Sequence, residues 1–370
     1  MKITLFASSL QCGGAERVLV MLAQGFLDRG YTVNVVTLAG KERDFYTLPV
    51  GVTRVALDVM GNSSNLFEAA SKNLTRLTRL RQAVTQINPD LIISFIAREN
   101  ISLLLALWGT KYPVFVTEHN DQRFRALPQP WSMIRRLVYP RAATVVSVSE
   151  GVNQYFSWLP EQQKAVIYNP FIIPDSLTEA INLPVGIDSN KKWLISMGRL
   201  IEQKGFDYLL TAYAQISDRF PDWQLLILGD GELRQQLSEQ KENLQLGDRV
   251  IFTGRIKNPF ALMNQAELFV MASRFEGFPM AHGEALASGL PVIATDCPSG
   301  PSEIIRDGID GILIPSQNVD ALAQAMADLM ADKKQRQALA SKATEVTQRF
   351  SITKVIDDWE SLFANHLAMP

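Results

Sequence analysis

Short apolar runs alternate with amphipathic helical stretches from the first residues onward. KITLFAS reads as a buried strand and is followed by a Gly-Gly turn. In AERVLVMLAQGFLDRG, Val18, Leu22 and Phe26 recur every four residues, so one helical face is apolar until Gly30 ends it. YTVNVVTL, DLIISFI, VFVTEH, ATVVSVS and AVIYN read as the next strands, with helical stretches between them. Strands this apolar and β-branched, alternating with helices, predict a parallel sheet covered on both faces.

The pattern starts again after a polar, proline-bearing stretch from Pro174 to Lys192. WLISMG, WQLLILG, RVIFTG, LFVMAS, PVIAT and GILIP are short apolar strands, each closed by Gly, Pro, Ser or Asp. Helices such as GFDYLLTAYAQI and VDALAQAMADLM lie between or after them. The expected fold is α/β, with two doubly wound Rossmann-like parallel-sheet domains facing across a cleft. The expected boundaries are 1–178 for the first domain and 179–350 for the second. A final helix within 351–370 is expected to cross back to the first domain. Ligands in such sheets bind beyond the carboxyl ends of the strands, so the loops there are the ones to search.

Composition narrows the class. The 36 Lys and Arg against 38 Asp and Glu, with 47% hydrophobic residues, describe a globular chain with a sizeable core. The longest apolar runs, such as ISLLLALW, fall short of the ~18 residues a spanning helix needs. MKITLFASSLQCGGAE is read as a first strand and not as a targeting sequence, because its apolar run is short and no small-residue cleavage site follows. Cys12 and Cys297 show no motif spacing, which suits a reducing cytoplasm. Near-neutral charge and the absence of a recognised module exclude nucleic acid as a partner. The charge is uneven, however. Residues 1–178 hold 18 basic and 13 acidic residues, which points to an anionic partner for the first half.

Three loops at strand ends of the second half carry candidate chemistry. GRLIEQKG places Arg199 and Lys204 in one strand-to-helix loop, a guanidinium fork and an ammonium suited to a diphosphate. Solvated loop charges would share this spacing. FTGRIKN brings Gly254, where backbone can approach a flat base. RFEGFPMAHGEALASG carries Glu276 and Glu284 eight positions apart. Within one helix that separation would be ~12 Å. Pro279 instead pre-sets a helix start near Met280, so Glu276 lies in a loop and Glu284 on a helix, and both can border one site. Amides at that helix start favour an anion, and two carboxylates beside it suit the hydroxyls of a sugar.

The ordered series SMGRL, EQKG, LILGDGEL, VIFTGRI, EGFPMAHGEALASGLPVIAT, GPSEII and DGIDGILIP resembles the GT-B fold glycosyltransferases of family 4. EGFPMAHGE is similar to their E-x7-E motif, and the likeness extends to QCGGAE and VTEHN. The resemblance implies sugar transfer from a nucleotide sugar with retention of anomeric configuration. It implies that Glu284 holds the ribose hydroxyls and Glu276 a hydroxyl of the donor sugar. It also implies contacts from Phe278, Pro279 and Met280 to sugar and diphosphate, with Arg199 and Lys204 on the phosphates. Gly254, Arg255 and Ile256 would receive the base, and Gly13 and Gly14 would approach the diphosphate. His119 matches a histidine near the reacting sugar. His282 and Gly283 depart from the apolar pair common in the motif. No cofactor is expected. No D-x-D triplet occurs, so no metal clamp is expected either.

The acceptor is read from KNLTRLTRLRQAV, where Lys72, Arg76 and Arg79 share a helical face. Leu74, Leu77, Leu80 and Val84 are expected on the opposite side. Arg123, Arg125, Arg135 and Arg136 are expected to add surface charge. A basic face suits a lipid diphosphate or an anionic membrane surface, although a merely solvated face shares the pattern. The resemblance implies a UDP-linked hexose or N-acetylhexosamine donor and a glycan acceptor on a polyprenyl diphosphate. The setting would be surface polysaccharide, lipopolysaccharide or oligosaccharide assembly at the cytoplasmic side of the membrane. A GT-B sugar-nucleotide epimerase and a non-catalytic sugar-nucleotide-binding protein remain as alternatives. A dinucleotide-dependent dehydrogenase does not fit, because QCGGAE is not G-x-G-x-x-G.

Overall fold

The computed structural model describes residues 1–61, 66–173 and 183–367, with the side chains of 66–70 outside that description. The chain forms two compact units, residues 1–170 with 352–370 and residues 171–351. The boundary expected at 178/179 lies outside the described residues.

The first unit is built on a seven-stranded sheet among the described residues. Its strands are β1 (Lys2–Ala7), β2 (Thr32–Thr37), β3 (Thr53–Ala56), β4 (Leu91–Phe95), β5 (Val114–Glu118), β6 (Thr144–Ser147) and β7 (Lys164–Val166). Their order is β3-β2-β1-β4-β5-β6-β7, every pair parallel. β3 was not expected from the sequence. Its four residues TRVA are partly exposed at the sheet edge, and Arg54 leaves it to pair with Asp44 at 2.9 Å. Too little of β3 is buried to write an apolar run.

The Ile352–Leu367 helix belongs to this unit. Phe363 packs on Phe26 and Phe115, and Ile356 presses against Gly25, where a Cβ would clash. Arg29 bonds Asp357 and Glu360, and the Tyr31 hydroxyl bonds Glu360 at 3.0 Å.

The second unit holds β8 (Lys192–Met197), β9 (Trp223–Leu228), β10 (Val250–Gly254), β11 (Leu268–Met271), β12 (Val292–Asp296) and β13 (Gly311–Pro315). Their order is β10-β9-β8-β11-β12-β13, again all parallel. Leu194, Leu225, Ile227, Leu268 and Val270 are buried against the Phe206–Ile216 and Val319–Ala331 helices. In each unit the chain winds outward from a central strand and then restarts beside it, at β1/β4 and at β8/β11. Helices leave opposite faces at that point, which opens a crevice at the carboxyl ends of those strands. The loops after β1, β4, β8 and β11 are therefore the ones the topology gathers.

Candidate functional site

At the β8/β11 crevice, the loop after β8 forms a short 3-10 turn, Glu202–Lys204, that ends at Gly205 with φ +63°. A Cβ on Gly205 would land on the carbonyl oxygen of Ala272, so only glycine lets this loop lie against the end of β11. The loops are then tied directly. Arg274 N donates to Gln203 O at 2.8 Å, and Gln203 Nε2 donates to Phe275 O at 3.1 Å. Arg274 also chelates the Asp207 carboxylate and reaches Glu202 O at 2.6 Å. Arg274 is therefore a brace, while Lys204 and Glu276 are what the brace holds.

Lys204 Nζ lies 2.6 Å from Glu276 Oε1. The same oxygen accepts the Ser273 hydroxyl at 2.6 Å, and Oε2 faces Gln203 Nε2 at 3.4 Å. Glu276 is buried and held from three sides, with one ammonium as its counter-charge. The Glu276 amide donates to Pro298 O at 3.1 Å, which anchors the loop to the end of β12. Gly300, at φ +93°, packs its α-carbon against Gly277 O and Pro279 from the same side.

The Met280–Ala287 helix starts where the sequence places it, after Pro279 at φ −71°. Glu284 is buried on its second turn, and Phe278 is buried just before it. Gly283 has a packing reason that the sequence did not show. Its Cβ would fall inside the Phe171 ring, which stacks on Phe278 at 5.6 Å and meets Phe350 edge-on at 5.8 Å. His282 points elsewhere. It is buried against Phe269, with neither ring nitrogen partnered, and burial with the nearby Lys204 charge pushes it down to about 3.

The loops after β8, β9 and β10 are also joined. Gly229 presses on Gly198 O so closely that no side chain fits, and its amide donates to Gly254 O at 2.9 Å. This places Arg199 beside the turn that carries Arg255 and Ile256; both arginines are exposed and Ile256 is partly buried. Gly254 is required for its φ of +72°, whereas nothing crowds its α-carbon, so the close approach expected there is not made by protein atoms. Gly229 lies within LILGDGEL, and its φ of +142° is a backbone property that periodicity does not report.

In the first unit, Gly13 caps the Gly14–Asp28 helix, and Glu16 folds back over it. His119 follows β5. Its ring stacks on Phe95 at 5.6 Å, Nε2 lies 2.9 Å from Thr117 Oγ1, and burial lowers it to about 4. It lines a small cavity with Thr117, Asn169 and Trp359. Two features that follow β4 were not expected. Ile96, a β-branched residue, turns at φ +73° after β4. Glu99, three positions on, bonds Ser8 and is pushed up to about 7 by burial.

Two expectations about the first unit need correction, one on a cation and one on a leucine. Arg135 is not surface charge: it is 1% exposed, bonded to the Tyr155 hydroxyl and stacked on the Tyr155 ring at 4.8 Å. Leu74 is not on the buried side of the Leu66–Ile87 helix; it is 67% exposed while Leu80 and Val84 are buried. Lys72 and Arg76 are half-buried and Arg79 is exposed, with Arg76 bonded to Asn73 at 3.2 Å.

The two doubly wound units have the GT-B architecture. The chain belongs to the glycosyltransferase family whose profiles match both halves. "Glycosyl transferase 4-like domain" matches residues 13–170 and "Glycosyl transferases group 1" matches residues 178–346. The chain is 27% identical, over 98% of both chains, to an alpha-1,4-N-acetyl-D-galactosaminyltransferase of Campylobacter jejuni. That enzyme's name gives the acceptor as GalNAc-alpha-(1->4)-GalNAc-alpha-(1->3)-diNAcBac-PP-undecaprenol. It is 25% identical, over 99% of both chains, to the lipopolysaccharide core biosynthesis glycosyltransferase LpsE of Rhizobium meliloti. Anabaena HepE, solved with UDP and glucose, superimposes with a TM-score of 0.80 at 22% identity, over 99% of this chain and 100% of that one.

Proposed function

We propose that this glycosyltransferase moves a hexose or N-acetylhexosamine from a UDP-linked donor to a glycan acceptor carried on a polyprenyl diphosphate. Transfer would proceed with retention of configuration, without metal, at the inner face of the cytoplasmic membrane. The observation that carries the reading is the Lys204–Glu276 pair in the loops at the β8/β11 switch point, where the loop after β11 leads into the Met280–Ala287 helix. A relative named for an undecaprenol-linked acceptor and one named for lipopolysaccharide core biosynthesis support the acceptor class.

In this reading Arg199, Lys204 and the amides from Phe278 to Met280 receive the diphosphate. Glu276 and Glu284 accept hydrogen bonds from the hydroxyls of the donor sugar and the ribose. Gly254, Arg255 and Ile256 border the base. As the bond from the anomeric carbon to the phosphate oxygen breaks, negative charge grows on the leaving UDP, where fixed cations and amides stabilise it most. The acceptor oxygen bonds to the anomeric carbon from the same face, and its proton passes to the departing phosphate oxygen. The first unit takes the acceptor, with His119 beside the reacting hydroxyl and the amides of Gly13 and Gly14 facing an anionic group. Lys72, Arg76 and Arg79 receive the lipid diphosphate of the acceptor. Metal independence is supported by the absence of a D-x-D triplet.

The test is release of UDP from a panel of UDP-sugars in the presence of a synthetic polyprenyl-diphosphate-linked oligosaccharide, with the product's anomeric configuration read by NMR. The expected product keeps the donor's configuration, and chelator leaves the rate unchanged. An inverted product would overturn the retaining mechanism, and UDP release independent of acceptor would overturn the transferase assignment.

A further inference from the structure

We infer that the segment from Arg123 to Leu137, followed by Arg141, is a docking surface for anionic phospholipid. This deepens the membrane contact proposed above by moving it from the Leu66–Ile87 helix to a different surface of the first unit. The Trp131–Val138 helix is folded inside out. It buries Arg135 and Val138 while Met133 and Leu137 are 67% and 62% exposed. Those two are four positions apart and so share one side of the helix, with the exposed Arg136 beside them. The loop ahead of the helix continues the pattern: Phe124 is 46% exposed between the exposed Arg123 and Arg125.

The exposure of Met133 and Leu137 is built in. Turning them inward would carry Arg135 out of a cage formed by the rings of Tyr139, Tyr155 and Phe156, where its guanidinium bonds the Tyr155 hydroxyl. Its charge also acts on the buried Glu118. The anchor that fixes the helix is thus a buried ion, and the residues a core would ordinarily take are left outside.

Charge complementarity names the occupant. From Gln122 to Ser149 the chain has five arginines and no aspartate or glutamate. Arg135 is inside, and the other four are exposed. The Arg141 guanidinium carbon lies 3.3 Å from the ring centroid of the exposed Trp108, adding an aromatic–guanidinium pair of the kind that sits at a lipid headgroup boundary. Arg123 is paired with the buried Asp121 at 2.6 Å, so the net charge of this surface is carried by Arg125, Arg136 and Arg141. These guanidinium groups beside exposed apolar tips match a negatively charged bilayer surface, where each cation adds to the attraction.

The experiment is co-sedimentation of the full chain with vesicles of equal parts phosphatidylglycerol and phosphatidylcholine, against vesicles of phosphatidylcholine alone. Wild type is expected to bind the anionic vesicles. Both Met133→Ser/Leu137→Ser and Arg125→Ala/Arg136→Ala are expected to weaken binding by about tenfold or more, with unfolding midpoints close to wild type. Lys72→Ala/Arg76→Ala/Arg79→Ala is expected to bind nearly as wild type. If that triple variant loses binding while the other two keep it, this surface is wrong and the membrane contact stands. If wild type binds neither vesicle, the membrane contact falls as well. If the Met133/Leu137 variant instead turns a wild-type dimer into a monomer, the surface meets a second copy of the chain and the lipid inference is overturned. UDP release with a detergent-solubilised acceptor reads the transferase separately from all three.

Discussion

Lys204 Nζ and Glu276 Oε1 stand 2.6 Å apart, although 72 positions separate them in the chain. The sequence points these residues at different groups, a phosphate and a sugar hydroxyl; in the structure each is also the other's partner. The ammonium has three donors and gives one to the carboxylate, so two remain for a diphosphate. Binding a phosphate would then need no rupture of the pair.

Removing either charge should therefore affect stability and transfer differently. Lys204→Met leaves a buried carboxylate held only by Ser273 and Gln203, and should destabilise the chain by about 3 kcal/mol. Lys204→Met/Glu276→Gln should recover most of that stability, because no buried charge is left alone. Its kcat/KM should stay lower by about 100-fold or more, since the leaving diphosphate has lost a fixed cation. Urea unfolding and UDP release on the same three proteins check this. Recovery of both quantities in the double variant would make the pair purely structural.

Gly283→Ala tests the aromatic group behind the helix start. The new methyl falls within the Phe171 ring, which must shift and disturb Phe278. Overpacking of this kind should destabilise by about 1–3 kcal/mol and raise the KM for donor. Phe171→Leu in the same chain should return part of both, as the smaller side chain gives way. Donor KM and the unfolding midpoint of the single and double variants are the readouts.

His119 should act as a neutral group. Burial lowers it to about 4, so between about pH 5 and pH 8 its protonation does not change. His119→Phe should keep the stacking on Phe95 and hold stability within about 1 kcal/mol, while kcat falls by about 100-fold. The acid limb of the kcat/KM profile should keep its midpoint. A shift of that limb in the variant would mean that His119 titrates during turnover.

Much of this arrangement was legible because the strands end abruptly. WLISMG, RVIFTG and LFVMAS each stop at a small residue or glycine, so Arg199, Gly254 and Glu276 could be assigned to strand-end loops before any contact was known. Glu284 could be assigned to a helix because Pro279 marks its start. The pairing of Lys204 with Glu276 was not legible, since it depends on β8 and β11 lying side by side and on Gly205 closing against Ala272 O. Arg135 misled for a related reason. An arginine among apolar residues reads as surface, and only the rings of Tyr139, Tyr155 and Phe156, gathered from the chain that follows it, make an interior place for the charge. β3 escaped because half-buried residues on a sheet edge write no period.

His282 provides the sharpest test on stability. Its ring is buried on the first turn of the Met280–Ala287 helix with neither nitrogen bonded, so the folded chain holds it neutral, at about 3 against about 6.5 when unfolded. A histidine depressed in the folded state contributes stability above its unfolded value and loses it as pH falls, because the unfolded chain takes up the proton first. Over the interval from pH 6.5 to pH 5 this amounts to about 2 kcal/mol. His282→Leu removes the titration and fills the same volume with an apolar side chain. At pH 7.5 the variant should be more stable by about 1 kcal/mol, because an unpaired buried donor and acceptor are gone. At pH 5 its advantage should grow to about 3 kcal/mol. Urea unfolding at the two pH values measures the difference directly. A variant that is less stable than wild type at both would show that the ring nitrogens are satisfied in solution, as a buried water would satisfy them, and that His282 is a hydrogen-bonding member of the motif.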